Sequence, residues 1–322
     1  MISATVAQDA ASIKDRFQSA TPFKHVVIDD FLDRDTCEAL LRDFPAFDAA
    51  RATDEHGRIG RKAVFEHVLD ISPSYGEFYR YINTAAFLTS LSELTGIPDL
   101  IADATLFGGG THDNQNGQAL YTHVDFNIDP RRMLHRRVNL LLYLNKAWQE
   151  EWGGLIELHS DPRHPSVDVV KSYLPLFNRV LIFETNEYSW HGFKQITLPP
   201  DHPNVSRKSF SIYLYSKERP IEEIKAPHTT FYLPEPLPGH MKAGHVLTEN
   251  DERDLQTLTA SRDGLLEMYQ KMLIEKEQRF HDLVRSSQLS ASEFNPLLSS
   301  RSGKFMMAVL RRWHQARKTA RF

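Results

Sequence analysis

His123 and Asp125, two residues apart, and His191 far downstream in Trp190-His191-Gly192 constrain this chain more than any other feature of it. The surrounding residues are of β type, and on a strand, side chains two apart project to the same face. His123 and Asp125 therefore share one side of one strand. A fold that brings His191 beside them from a second strand assembles two imidazoles and one carboxylate. Such a set covers one face of an octahedral ion and leaves three positions open. A His-x-Asp is weak evidence by itself in 322 residues, so the weight comes from the third ligand and from Arg207, which opens an apolar strand after it.

The segments 137–145, 154–160, 179–184 and 209–216 are short, rich in β-branched or aromatic residues, and separated by loop-type residues. The run from Val138 to Leu144 is apolar apart from Asn139, as expected of a strand covered on both faces. A mainly β core with flanking helices, built as a jelly roll (double-stranded β-helix), satisfies both observations. Residues 25–28 read as a further strand. Asp33 or Asp35 caps a helix carrying Cys37, Leu40, Leu41 and Phe44. Phe78, Tyr79, Ile82, Phe87, Leu88, Leu91 and Leu94 keep helical spacing up to Gly96, and these helices would buttress one sheet. Residues 50–62 read as a surface loop. The glycine-rich stretch 108–118 reads as a flexible hairpin loop or a lid, and Gly153-Gly154 as a tight turn.

Three regions follow from this pass: a domain over 1–220, a Pro-rich connector over 221–246, and a helical extension over 247–322. Thr248 and Asp251 resemble a capping signature for a long helix with Leu255, Leu258, Leu265, Leu266, Tyr269, Met272, Leu273 and Phe280 at wandering three-and-four spacing. That helix would pack on the domain or make a homodimer through 248–284. A Ser-rich linker, 286–302, then leads to a basic amphipathic tail, 303–322, with Phe305, Met306, Val309, Leu310 and Trp313 on one side. Such a tail suits an anionic membrane surface or a protein partner, or is simply solvated.

Composition narrows the classes. A chain with 41% hydrophobic and 25% charged residues buries a sizeable core, and a net charge of −4 gives no case for nucleic acid as a partner. The single cysteine, Cys37, excludes an internal disulfide framework. The first 17 residues lack the pattern of a secretory leader, so the expected location is cytoplasmic, peripheral to a membrane if the tail binds one.

From about residue 23 to 216 the chain resembles the Fe(II)/2-oxoglutarate-dependent dioxygenases, in their prolyl-4-hydroxylase-like branch. The matching pieces run in the family's order: Phe23-Lys-His-Val-Val-Ile-Asp-Asp-Phe-Leu, Tyr121-Thr-His-Val-Asp, Arg137-Val-Asn-Leu-Leu-Leu-Tyr-Leu-Asn, Gly153-Gly-Leu-Ile-Glu-Leu, Arg179-Val-Leu-Ile-Phe, Trp190-His-Gly and Arg207-Lys-Ser-Phe-Ser-Ile-Tyr-Leu-Tyr. The resemblance implies Fe(II) held by His123, Asp125 and His191, and the far carboxylate of 2-oxoglutarate held by Arg207. It also assigns Tyr143 a hydroxyl contact to the cosubstrate, although a packed strand aromatic explains that residue equally well. Arginine suits the anchor because its planar fork holds a carboxylate through two parallel hydrogen bonds. If Arg207 faces inward, so do Ser209 and Ser211, and Ser209 can add a hydrogen bond to the same carboxylate. Lys208 is the neighbouring alternative, because the stretch from His191 to Arg207 is long and carries Pro199, Pro200 and Pro203.

The implied reaction consumes O2 and 2-oxoglutarate, releases succinate and CO2, and hydroxylates a substrate C–H bond, with ascorbate as a candidate reductant. The ligand Asp125 argues against halogenating variants, which leave that position to halide. The substrate implied is a peptidyl proline on a protein or peptide. A free amino acid, a sugar or a lipid-linked glycan stays open, because a shared core identifies cofactor chemistry better than substrate. Two other classes stand beside this one: a catalytically silent jelly roll acting as an interaction scaffold, and a cupin-like Zn(II) or Mn(II) enzyme without the cosubstrate. His112, His135, His159, His202 and His228 read as surface or structural residues.

Overall fold

The computed structural model of the protein describes residues 1–48, 63–234 and 236–300. The expected loop 50–62 and the basic tail 303–322 lie outside the described residues. The chain divides into two compact units, Met1–Val246 and Leu247–Phe322.

In the first unit, thirteen strands among the described residues form two antiparallel sheets. The larger has the order β1 (His25–Ile28), β10 (Val180–Glu184), β7 (Leu134–Tyr143), β12 (Arg207–Ser216), β4 (Gly110–Asn114), β2 (Ala63–Phe65), with β3 (Ile101–Ala102) on β12 and β6 (Ile128–Asp129) on β7. The smaller runs β13 (Phe231–Tyr232), β5 (Leu120–Val124), β11 (Trp190–Phe193), β8 (Ile156–His159), β9 (Val170–Tyr173). From β4 to β12 the main strands alternate between the sheets: β4, β7, β10 and β12 in the larger, β5, β8 and β11 in the smaller. That alternation is the double-stranded β-helix.

Strand parity sorts the apolar residues into two cores. Val138, Leu140 and Leu142 of β7 join Phe210, Ile212 and Leu214 of β12 and Val180 and Ile182 of β10 on the outer face of the larger sheet. There they pack with Tyr75, Phe78, Leu91 and Leu94 from the helices α4 (Pro73–Ile82) and α5 (Ala85–Thr95). Tyr143, Leu181 and Phe183, on the opposite face, meet Ile156 and Leu158 of β8 together with Phe23. Both faces of β7 are covered, which is why Leu140, Leu141, Leu142 and Tyr143 follow one another without a polar residue.

Two short helices, α1 (Ala4–Gln8) and α2 (Ala10–Ser19), precede β1, and Ile13 and Phe17 of α2 enter the same helical core. The helix α3 (Arg34–Arg42) is capped by Asp33, whose carboxylate accepts from the Thr36 amide at 2.9 Å. The single helical stretch expected between Phe78 and Leu94 is two helices. Thr84 breaks it by accepting the Phe87 amide proton at its own side chain, which starts a new helix at Ala85.

The stretch 108–118 is neither lid nor loose hairpin. Its residues Gly110–Asn114 form β4, buried at every position and paired with both β12 and β2. The glycine content there answers a packing demand. Gly110 has φ of +76° and a Cβ on it would lie 2.2 Å from the Phe65 carbonyl oxygen.

The connector 221–246 belongs to the first unit. It is anchored where His228 donates its amide proton to the Asn127 side chain at 3.0 Å, and its strand β13 extends the smaller sheet by pairing with β5.

In the second unit, Thr248 caps α6 (Glu249–Ser299) by exchanging side-chain and backbone hydrogen bonds with Asp251. The expected Ser-rich linker is helical as far as Ser299, where α6 ends. Serine costs a helix only tenths of a kcal/mol, about 0.5 at most, and the Ser286 hydroxyl is absorbed by the Leu283 carbonyl at 2.9 Å. No helix of the described residues is long and apolar enough to cross a membrane.

Candidate metal centre

His123 on β5 and His191 on β11 are direct cross-strand partners, with ring centroids 4.3 Å apart. Asp125 lies just beyond the end of β5, on the His123 side. Each histidine is oriented by its own backbone: His123 Nδ1 meets the Tyr121 carbonyl at 2.8 Å and His191 Nδ1 the Ser189 carbonyl at 2.9 Å. A ring nitrogen facing a carbonyl carries the proton, so both Nε2 atoms present lone pairs. Nε2 of His123 lies 3.7 Å from one Asp125 oxygen and Nε2 of His191 3.6 Å from the other. The three ligand atoms fall within 4.8 Å of one another, so one ion can reach all of them. This is the set named from sequence, and the fold brings all three together.

Burial alone would raise the Asp125 carboxyl. Arg136 opposes it most, and with His191, His123 and the Asn139 hydrogen bond it holds the carboxyl well below the usual carboxylate range. An ionised carboxylate facing the Nε2 atoms of two imidazoles is a donor set for a divalent ion.

Arg207 is buried at the start of β12, on the inner face of the larger sheet. Its Nε donates to the Gly154 carbonyl at 2.6 Å and its Nη2 to the Tyr143 hydroxyl at 3.3 Å, while the guanidinium lies over the rings of Phe193 and Tyr143 at 4.2 and 5.0 Å. Gly154 allows that approach: a Cβ there would meet Ile196 at 2.9 Å and the Arg207 side chain at 3.4 Å. Burial lowers the arginine's pKa, with Tyr143 opposing, and among the described residues no carboxylate pairs with it. A buried cation of this kind is costly until an anion neutralises it, and a ligand carboxylate fits the demand. Lys208 is turned to the other face, toward Ser206, Asp113 and the Phe44 ring.

Tyr143 and Ser209 are cross-strand partners, both buried, on the face that Arg207 shares. The next inward residue of β12, Ser211, meets His112 Nδ1 at 3.2 Å, and His112 Nε2 meets the Gly108 carbonyl. His112 is therefore part of the inner wall.

Three residues at the centre escaped the sequence reading. Asn139 donates to Asp125 at 2.7 Å, Arg136 lies 3.1 Å from the same oxygen, and Tyr232 of β13 places its ring 5.1 Å from that of His123. The Phe183 ring covers His191 at 4.7 Å. One signal for Asn139 was available: it is the polar residue in the apolar run 138–144, four before Tyr143 and so on its face.

Residues 110–215, from the start of β4 almost to the end of β12, match the 2OG-Fe(II) oxygenase superfamily. Over 111 residues, 34% of this chain, the sequence is 28% identical to mouse prolyl 3-hydroxylase OGFOD1, and the match covers 19% of that protein's length. Among solved structures, a Trichoplax adhaerens prolyl hydroxylase in complex with a hypoxia inducible factor peptide fragment is similar at 16% identity and a TM-score of 0.47, covering 66% of this chain and 94% of that one. A Pseudomonas putida prolyl-4-hydroxylase is similar at 17% identity and a TM-score of 0.40, covering 65% and 99%.

Proposed function

We propose, on the premise that residues 110–215 form a 2OG-Fe(II) oxygenase core of prolyl-4-hydroxylase-like type, that this protein is a 2-oxoglutarate-dependent hydroxylase. The observation that carries the reading is the pairing of a His123, Asp125 and His191 triad with a buried, anion-seeking Arg207 on the same enclosed interior. A scaffold has no use for that convergence, and a cupin-like enzyme working with a metal alone has no use for Arg207.

Bound Fe(II) and 2-oxoglutarate supply the chemistry: O2 is reduced, the cosubstrate leaves as succinate and CO2, and a substrate C–H bond is hydroxylated. The chain's own share is holding and excluding. His123, Asp125 and His191 would hold the ion, each through one ligand atom. Arg207 neutralises the far carboxylate of 2-oxoglutarate and fixes its orientation, with the Tyr143 hydroxyl beside it and Ser209 on the same wall. The Phe183 and Tyr232 rings keep water from the imidazoles.

The substrate class we propose is a polypeptide, with a prolyl residue as the hydroxylated group. It is supported by the relative that is a prolyl 3-hydroxylase. The test is succinate release from 2-oxoglutarate by the Fe(II)-loaded protein, with and without proline-containing peptides. Stimulation by peptide is expected. Stimulation by free proline or by sugars instead would move the substrate to a small molecule, and absence of any turnover in the iron-loaded protein with every substrate class would count against the hydroxylase.

A further inference from the structure

Asp125 has two carboxylate oxygens, and the structure treats them differently. Oδ1 faces His123. Oδ2, 3.6 Å from His191 Nε2, also accepts a hydrogen bond from Asn139 Nδ2 at 2.7 Å and lies 3.1 Å from Arg136 Nη2. The Arg136 contact is an ion pair outside hydrogen-bonding geometry, since Nη2 makes no hydrogen bond of its own. Asn139 is thus the group that donates to Oδ2 with directional force.

The orientation of that amide is decided by its other end. Arg136 Nε donates to Asn139 Oδ1 at 3.0 Å, so the amide oxygen must face the guanidinium and the NH2 group must face Asp125. Arg136 is itself immobilised. It is fully buried, with its guanidinium 3.7 Å from the Tyr213 ring centroid and 4.6 Å from that of Phe126. The three side chains close a ring: Arg136 to Asn139, Asn139 to Asp125, Asp125 back to Arg136.

Strict alternation along β7 would send Arg136 to the face of Val138, among the helices. A bulge redirects it. Between Leu214↔Val138 and Tyr215↔Arg136, β12 advances one residue while β7 advances two, which leaves Arg137 as the extra residue. Bulges of this kind re-aim a side chain next to a site, and here the result is Arg136 on the Asn139 side.

We infer that Asn139 is a positioning residue for the metal ligand Asp125: held by Arg136, it occupies Oδ2 and leaves Oδ1 to the ion. The inference rests on the metal-centre reading above. An amide is suited to the position because it both accepts from Arg136 and donates to Asp125. A purely apolar side chain would do neither, and the carboxylate would then be free to turn, or to chelate with both oxygens.

The test is binding of Mn(II) alone, followed by the loss of the free-ion EPR signal, in the wild-type full chain, Asn139→Leu and Asn139→Ser, with melting curves of each without metal. Outer partners of metal ligands typically govern about 10–100-fold in affinity. Asn139→Leu is therefore expected to weaken Mn(II) binding by that factor, and Asn139→Ser, which keeps a donor, by less. Wild-type affinity in both variants overturns the inference, whatever their melting temperatures, because a merely structural asparagine would move stability and leave the metal alone. Should Asn139→Leu not fold, a weakened Asn139→Ser supports the inference and an unchanged one overturns it. A wild-type protein that binds no Mn(II) removes the metal centre itself, a failure distinguishable from the first.

Discussion

The two sheets of the jelly roll differ in what they contribute to the site and in what supports them. The smaller sheet supplies the metal side: His123 and His191 face each other on β5 and β11, and its edge is closed by a strand of two residues, Phe231–Tyr232. The larger sheet, backed by helices, supplies the anion side and the support for Asp125: Arg207, Tyr143, Ser209, Asn139 and Arg136. Groups that must present lone pairs to an ion thus come from the thin sheet, and groups that must hold charge without moving come from the deeply packed one. The contrast predicts that ion binding and cosubstrate binding can be separated by substitution.

The largest effects should come from breaking each side in turn. His191→Ala should abolish Fe(II) binding while the apo-protein stays folded; iron retention after desalting checks this. Arg207→Ala should leave metal affinity close to wild type but weaken 2-oxoglutarate binding by about 30-fold or more, the equivalent of roughly 2 kcal/mol for truncating a buried charge pair. Isothermal titration of the metal-loaded variant reads it. Equal loss of both ligands in Arg207→Ala would break the division between the sheets.

Stability should follow the helical backing. Phe210 is fully buried between the larger sheet and α4, with its ring 5.1 Å from that of Phe78. Phe210→Ala should cost about 3–5 kcal/mol, measured by denaturant unfolding. Tyr232→Ala, at the edge of the smaller sheet, should cost far less stability and show its effect mainly on the iron centre.

The smallest effect is a pH dependence on the outer face of the smaller sheet. Burial would lower the His159 pKa, but hydrogen bonds and charge from Glu157 and Asp168, the latter at 2.6 Å, raise it overall from 6.5. A raised folded pKa means that its stabilisation is complete below about pH 6.5 and is lost as pH climbs through the folded value. The melting temperature of the wild type should fall over that range by more than that of His159→Gln.

What could be read from the chain alone divides along the same line. His123 with Asp125, and Arg207 with Ser209, were legible because each pair depends on alternation along one strand. The outer-face core residues of β7, β10 and β12 were legible because Val138, Leu140 and Leu142, Val180 and Ile182, and Phe210, Ile212 and Leu214 recur at alternate positions. The Arg136 to Asn139 clamp was not, because a bulge at Arg137 reverses the expected face, and nothing local marks a bulge there. Tyr232 was hidden by a connector rich in proline, whose pairing with β5 is a long-range event. The strand β4 was misread because glycines required by close backbone approach look like those of a mobile loop. In α6, serines that are only mildly unfavourable in a helix look like a break in the sequence but are not one in the fold.

The most direct test of a metal site and an anion site meeting in one interior is an anaerobic titration of the Fe(II)-loaded protein with 2-oxoglutarate, watching for the weak visible metal-to-ligand charge-transfer band. The account predicts a band in the wild type, none in His123→Ala, and a band in Arg207→Ala that appears only at much higher 2-oxoglutarate. An iron-replete wild type without the band, or a band indifferent to Arg207, would contradict it.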